Sequence, residues 1–210
     1  MVASRHGHAP KASFWRSWRG ALLAVGVVAL IVGSFVLPGV LSKGTAKENT
    51  PSGVVQGAGL PAGSKVPAFS GTDVLSGARI TNSSVYDHKT LLFFSEGVSC
   101  QACLEQIQGI QQVGSELAKR GIQLVSITPD SQALLRQAAS EYQITTPLIS
   151  DSNLSMSEAF NTLGQGMHAD TPGHAFALIY RGKVLWYHDY WITDHTMYVQ
   201  PGALLAALPA

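Results

Sequence analysis

The chain contains two cysteines, and they stand together as Cys100-Gln101-Ala102-Cys103. Directly before them runs Thr90-Leu91-Leu92-Phe93-Phe94-Ser95, a continuous apolar stretch of the kind that forms a strand buried on both faces. Directly after them Leu104, Ile107, Ile110, Val113 and Leu117 recur at spacings of three and four, which predicts one helix over about 100–120 with its apolar stripe on a sheet. A cysteine pair at a strand-to-helix junction constrains both fold and chemistry. A two-residue gap closes too small a loop to restrict the unfolded chain much, so a purely structural crosslink would gain little. A closed zinc site uses four ligands, and there is no second cysteine pair. The unpaired N–H groups and dipole of a helix N-terminus would stabilise a thiolate on Cys100. Cys103, one turn along, is within reach to resolve a mixed disulfide. The spacing therefore favours redox chemistry, with metal binding and a structural crosslink as the alternatives.

The remaining pattern alternates strand and helix. Ile122 to Ile127 reads as a second buried strand, and Pro129 and Asp130 open a helix capped by Asp130 or Ser131, with Leu134, Leu135, Ala138 and Tyr142 facing inward. Leu148 and Ile149 form a short strand. Asp151 to Asn153 cap a helix carrying Leu154, Ala159, Phe160 and Leu163. His174 to Tyr180 and Lys183 to Asp189 form a hairpin around Arg181-Gly182, and a last helix covers about 201–208. This order implies an α/β layered sheet with right-handed crossovers.

The first 65 residues have a different character. Ala21 to Leu41 is free of charge, and 21 helical residues span roughly 30 Å, the hydrocarbon thickness of a bilayer. Length favours an uncleaved transmembrane helix over a cleaved signal peptide, whose apolar region is about 7–15 residues. Arg5, Lys11, Arg16 and Arg19 make residues 1–20 a basic tail of +4, which keeps that end cytoplasmic and sends the rest across the cell membrane. Residues 42–65, rich in Gly, Ser, Thr, Ala and Pro, read as a flexible linker. From residue 66 onward seven basic and twelve acidic residues give −5, so nothing points to nucleic acid as a partner.

From about Gly63 to Leu208 the sequence resembles the thioredoxin-fold redoxin family, of the AhpC/TSA branch that includes membrane-tethered thiol–disulfide oxidoreductases of the TlpA and ResA type. The resemblance lies in Val66-Pro67-Ala68-Phe69 with Gly77, Phe93-Phe94-Ser95 before the cysteine pair, Ser126-Ile127-Thr128-Pro129-Asp130-Ser131, Leu148-Ile149-Ser150-Asp151, and Thr171-Pro172. It implies a thioredoxin-like domain over 66–210, a central mixed sheet flanked by helices, behind a single N-terminal transmembrane helix. It implies a redox-active disulfide Cys100–Cys103 and no other cofactor. It also implies a catalytic Pro172 in a Thr171–cis-Pro172 peptide facing the cysteines, with Thr171 and Pro172 binding the substrate backbone. Partners would be protein thiols or disulfides, together with an electron donor or acceptor.

Peroxiredoxins of this branch carry a proline seven residues and a threonine three residues before the reactive cysteine; here those positions are Phe93 and Gly97. A peroxiredoxin-like antioxidant role is therefore the weaker alternative. The other alternative is a copper chaperone like the related Sco proteins, in which Cys100 and Cys103 with His168 or His174 would bind Cu(I). His168, Asp170 and His174 bracket the Thr171-Pro172 loop and are candidates for tuning the thiolate, as is Glu96, otherwise a solvated loop acid. His188, Asp189, Asp194 and His195 read as surface residues, and Trp186, Tyr187, Tyr190 and Trp191 as edge packing.

Overall fold

Leu91 to Phe94 have no solvent exposure, and a strand dry on both faces belongs in the middle of a sheet. In the computed structural model, which describes residues 59–209, this strand is β3 (Lys89–Phe94). It is preceded by a small antiparallel hairpin of β1 (Ser70–Thr72) and β2 (Arg79–Thr81). After β3 come α1 (Gln101–Gln112), α2 (Gly114–Lys119), β4 (Ile122–Thr128), α3 (Gln132–Glu141), β5 (Leu148–Ser150) and α4 (Ser155–Ala159). The chain ends with β6 (Ala175–Tyr180), β7 (Lys183–Asp189), α5 (Tyr190–Asp194) and α6 (Pro201–Ala207). The main sheet has the order β5-β4-β3-β6-β7. β3 runs parallel to β4 and antiparallel to β6, so Phe94 stands beside both Ile127 and Ala175.

The two-residue period of β3 divides the core. Leu91 and Phe93 face a cluster with Leu104, Ile107 and Ile110 of α1 and Leu135 of α3, whereas Leu92 and Phe94 face Val85, Met156 and Phe160 on the other side. The result is the α/β, thioredoxin-like layering expected from the sequence, with helices on both faces of a mixed sheet.

Local chemistry shifted several elements from their predicted limits. The single helix expected over 100–120 breaks at Val113 (φ −103°, ψ 18°), where β-branched Val113 is followed by Gly114. Glycine inside a helix costs about 1 kcal/mol relative to alanine, enough to set the break there. α3 is capped by the Ser131 hydroxyl, which accepts from the N–H of Leu134 at 3.4 Å. Leu134 is not in the core but 48% exposed, and the buried stripe is Leu135, Ala138 and Ala139. The helix after Asp151 is a short turn and a half. The Asp151 carboxylate accepts from the N–H groups of Met156 and Ser157, at 2.9 and 2.8 Å, and Leu163 lies beyond the helix, bridged to Pro172.

At the C-terminal edge, α5 was not anticipated. Asp189 is buried, not a surface residue: its Oδ1 accepts from the N–H groups of Trp191 and Ile192 at 2.9 and 3.1 Å and starts the helix. His188 does lie near the surface, 2.6 Å from Asp194 and stacked on Trp186.

Residues 59–65, read from the sequence as the end of the linker, are hydrogen-bonded to the domain. The N–H of Gly63 donates to the Val184 carbonyl at 2.8 Å, Val184 returns a bond to Ser64 at 3.0 Å, and Lys65 bridges Lys183. No helix among the described residues is long and apolar enough to cross a membrane. The basic tail, the 21–41 span and linker residues 42–58 lie outside the described residues.

Candidate active site

The site forms where β3 hands over to α1. Beyond Phe94 the chain turns at Gly97, whose φ of +95° lies in the region that favours glycine. A Cβ at Gly97 would fall 1.9 Å from Oδ2 of Asp130, the same oxygen that accepts the N–H of Val98 at 2.9 Å. Asp130, at the end of β4, thus clasps the loop leading to the cysteines. Half-burial raises its carboxyl pKa, against the lowering effect of the Val98 bond. Gly97→Ala should therefore destabilise the protein by about 1–3 kcal/mol through backbone strain and the displaced carboxylate. Urea unfolding checks this, and a loss under about 0.5 kcal/mol, ordinary for a surface change, would refute it.

Cys100 is the N-cap of α1, with extended backbone (φ −100°, ψ 94°). Its Sγ accepts the N–H of Cys103 at 3.2 Å, the place a capping oxygen would take. α1 has no acidic residue in its first turn to cancel the field at that sulfur. The two cysteines form a disulfide, with Cα atoms 5.3 Å apart. Cys100 is 5% exposed, flanked by exposed Ser99 and Gln101, whereas Cys103 is fully buried. The expected order of access is present, although Cys100 is more sheltered than an exposed nucleophile.

His174, just before β6, is fully buried, its ring edge-on to Phe93 and Phe176 at 4.8 and 5.7 Å. Its Nδ1 lies 3.8 Å from the Cys103 sulfur and its Nε2 lies 3.2 Å from Oε1 of Gln106. Burial alone pulls its pKa down to about 3, so the imidazole is neutral.

Pro172 differs from expectation. No cis peptide occurs among the described residues, so Thr171–Pro172 is trans. Nor is the Thr171 backbone free for a substrate: its carbonyl accepts from Gly164 at 3.1 Å and its N–H donates to His168 at 3.2 Å. In the β3–β6 register Ala175 opposes Phe94, so the residue at the cysteine end of β6 is His174 and not Pro172.

Glu96 is buried, not a solvated acid. Oε1 accepts from the N–H of Met167 in a short contact, and from the N–H of His168 and the Thr171 hydroxyl at 3.3 and 3.4 Å. Gly166 permits this approach, since a Cβ there would lie 2.3 Å from that oxygen. Glu96 therefore pins the 166–171 loop to the end of β3.

His168 is exposed on that loop, and among the described residues no three His, Cys, Asp or Glu side chains are grouped to hold a metal. Of the copper set considered from the sequence, His174 is the histidine that lies beside the cysteine pair, and His168 is exposed on the loop.

Two members of the site escaped sequence reasoning. Gln106 had a legible signal, being a polar residue three positions after Cys103 on the same helix face. The sequence offers Asp130 or Ser131 as the helix cap; Ser131 fills that role, and the clasp that Asp130 makes on the Val98 N–H has no sequence signal.

Comparison with known proteins agrees with this architecture. Peroxidoxin BcpB from Mycobacterium tuberculosis superposes with a TM-score of 0.60 at 20% identity, covering 72% of this chain and 99% of that one. AhpC of Enterococcus faecalis gives 0.60 at 16% identity, covering 69% and 88%. Reduced Prx3 from Vibrio vulnificus, solved in complex with H2O2, gives 0.60 at 15% identity, covering 70% and 95%. At these identities the likeness is one of fold. No curated relative matches the chain by sequence. The sequence profile of the AhpC/TSA family matches residues 62–187, from the strand-like entry segment through the cysteine pair to β7, and the chain belongs to that family.

Proposed function

We propose that the protein is a membrane-anchored, extracytoplasmic thiol–disulfide oxidoreductase that acts on protein disulfides through Cys100 and Cys103. The observation that carries this reading is the Cys100 sulfur at the N-cap of α1, held by the N–H of Cys103, with the second sulfur one turn deeper. In the reduced protein that N–H and the helix field favour the Cys100 thiolate, the attacking species. Cys100 would form a mixed disulfide with the partner, Cys103 would resolve it, and an external donor would restore the dithiol.

The structural neighbours bear peroxiredoxin names, and one of them was solved with H2O2. Two positions weigh against that use here. Phe93 is fully buried and stacked on Phe176 at 4.5 Å, and Gly97 is packed on Asp130; neither has the threonine hydroxyl or the proline found in peroxiredoxins.

Full-length protein supplied with a thiol reductant should reduce insulin disulfides catalytically, while hydrogen peroxide oxidises Cys100 at a rate near that of a free thiolate. Rapid peroxide turnover coupled to the reductant would overturn the assignment. The anchor is tested separately by fractionation: retention in membranes is expected, and a mature N-terminus at Lys43 or Lys47 would contradict it.

A further inference from the structure

Gln106 settles a proton position. Its Nε2 donates to the Val199 carbonyl at 3.0 Å and its Oε1 accepts the Val199 N–H at 2.6 Å, so this two-bond pairing fixes which amide atom is oxygen. That oxygen only accepts, and the His174 nitrogen facing it at 3.2 Å must be the Nε2–H. A neutral imidazole protonated at Nε2 has a bare lone pair on Nδ1, the atom 3.8 Å from the Cys103 sulfur.

We propose that His174 is the proton acceptor for Cys103 in the resolving step, with Gln106 as the positioning residue that sets its tautomer. The inference rests on the thiol–disulfide reading above. In the resting dithiol, Nδ1 accepts the Cys103 S–H, which keeps Cys103 a thiol while Cys100 is the thiolate. Once Cys100 is joined to the partner sulfur, Cys103 Sγ attacks Cys100 Sγ as its proton moves to Nδ1. The Cys100–partner S–S bond breaks, the pair leaves on the partner sulfur as a thiolate, and the imidazolium returns the proton to it. The balance is Cys103–SH plus Cys100–S–S–R giving the Cys100–Cys103 disulfide plus R–SH. Two electrons pass to the partner, and no further oxidant is needed.

The pocket suits this task. Phe93 and Phe176 exclude water from the ring, and burial is the whole cause of the lowered His174 pKa, with no charged side chain contributing. A free imidazolium is disfavoured there, so the proton moves to Nδ1 only as negative charge develops on the adjacent Cys103 sulfur, and it passes on to the partner sulfur once that charge has left. Arginine or lysine would instead stabilise the Cys103 thiolate permanently and put both cysteines in competition for the partner.

The test separates the two chemical steps in the full-length protein. His174→Phe keeps an aromatic ring against Phe93 and Phe176. It should slow resolution about 10²-fold near neutral pH, at the low end of general-base contributions. The deficit should shrink as pH rises past the ordinary thiol range near about 8.5. Mixed-disulfide formation, measured with Cys103→Ser present, should change less than about threefold, a small effect on that scale. Unchanged resolution, or equal slowing of both steps, would overturn the proposal. Should the variant fail to fold, ¹⁵N NMR of the reduced wild type decides. A pyrrole-type Nε2 and an unprotonated Nδ1 are expected, and an Nδ1–H tautomer refutes the role. A wild type that forms no mixed disulfide at all would instead refute the function on which this rests.

Discussion

Cys103→Ser should arrest the protein as a covalent adduct with its partner, joined through Cys100, and Cys100→Ser should give none. The asymmetry follows from burial and from the helix. Cys100 has the capping N–H and the small exposed surface between Ser99 and Gln101, and Cys103 has no exposed surface through which to meet a partner. The expected effect is large because resolution is intramolecular. Well-oriented groups reach effective molarities of about 10⁵–10⁸ M, so an external thiol at millimolar concentration replaces Cys103 many orders of magnitude more slowly. Non-reducing gels and mass spectrometry of the two variants read the result. Adducts formed through Cys103 in the Cys100→Ser protein would reverse the roles.

The second large effect is on stability in acid. His174 is neutral in the folded protein down to about pH 3, whereas in the unfolded chain it takes a proton near 6.5. Below 6.5 the unfolded state therefore binds more protons. The contribution is fully present above 6.5 and is lost as pH falls toward 3, by about 5 kcal/mol in all and about 3 kcal/mol by pH 4.5. Against a typical total of about 5–15 kcal/mol, that brings the fold close to unfolding.

Asp130 and Asp189 act in the opposite sense. Burial raises both carboxyls, so the native state gains stability as pH falls through their folded pKa values toward 3.8. Comparing oxidised wild type with His174→Phe isolates the histidine, since the aspartates are common to both. Urea unfolding at pH 7 and 4.5 should show the wild type losing about 3 kcal/mol more than the variant. Parallel losses would contradict a buried neutral His174.

What was legible in the sequence was local. β3 announces itself because five consecutive residues, Thr90 to Phe94, tolerate burial, and the β6–β7 hairpin because Arg181-Gly182 takes the two positive φ angles, 46° and 73°, of a tight turn. The cysteine pair carries its own chemistry in its spacing. The parts that were not legible depend on contacts between distant segments. His174 is 71 residues from Cys103 and meets it only through the β3–β6 register. Thr171-Pro172 matched a family dipeptide, but the register puts His174, two residues later, against the sulfur. Glu96 looks like a solvated loop acid until the 166–171 loop folds over it and supplies three donors. Asp189 looks exposed until it caps a helix too short for periodicity to reveal.

The central claim is that the Cys100–Cys103 dithiol reacts with protein disulfides in preference to peroxide. The direct measurement is a competition in which reduced full-length protein meets insulin and hydrogen peroxide at equal concentrations. Intramolecular Cys100–Cys103 disulfide should form with matching release of insulin thiols while peroxide is spared. Peroxide consumed first, with insulin disulfides intact or Cys100 carried to sulfinic acid, would contradict the account.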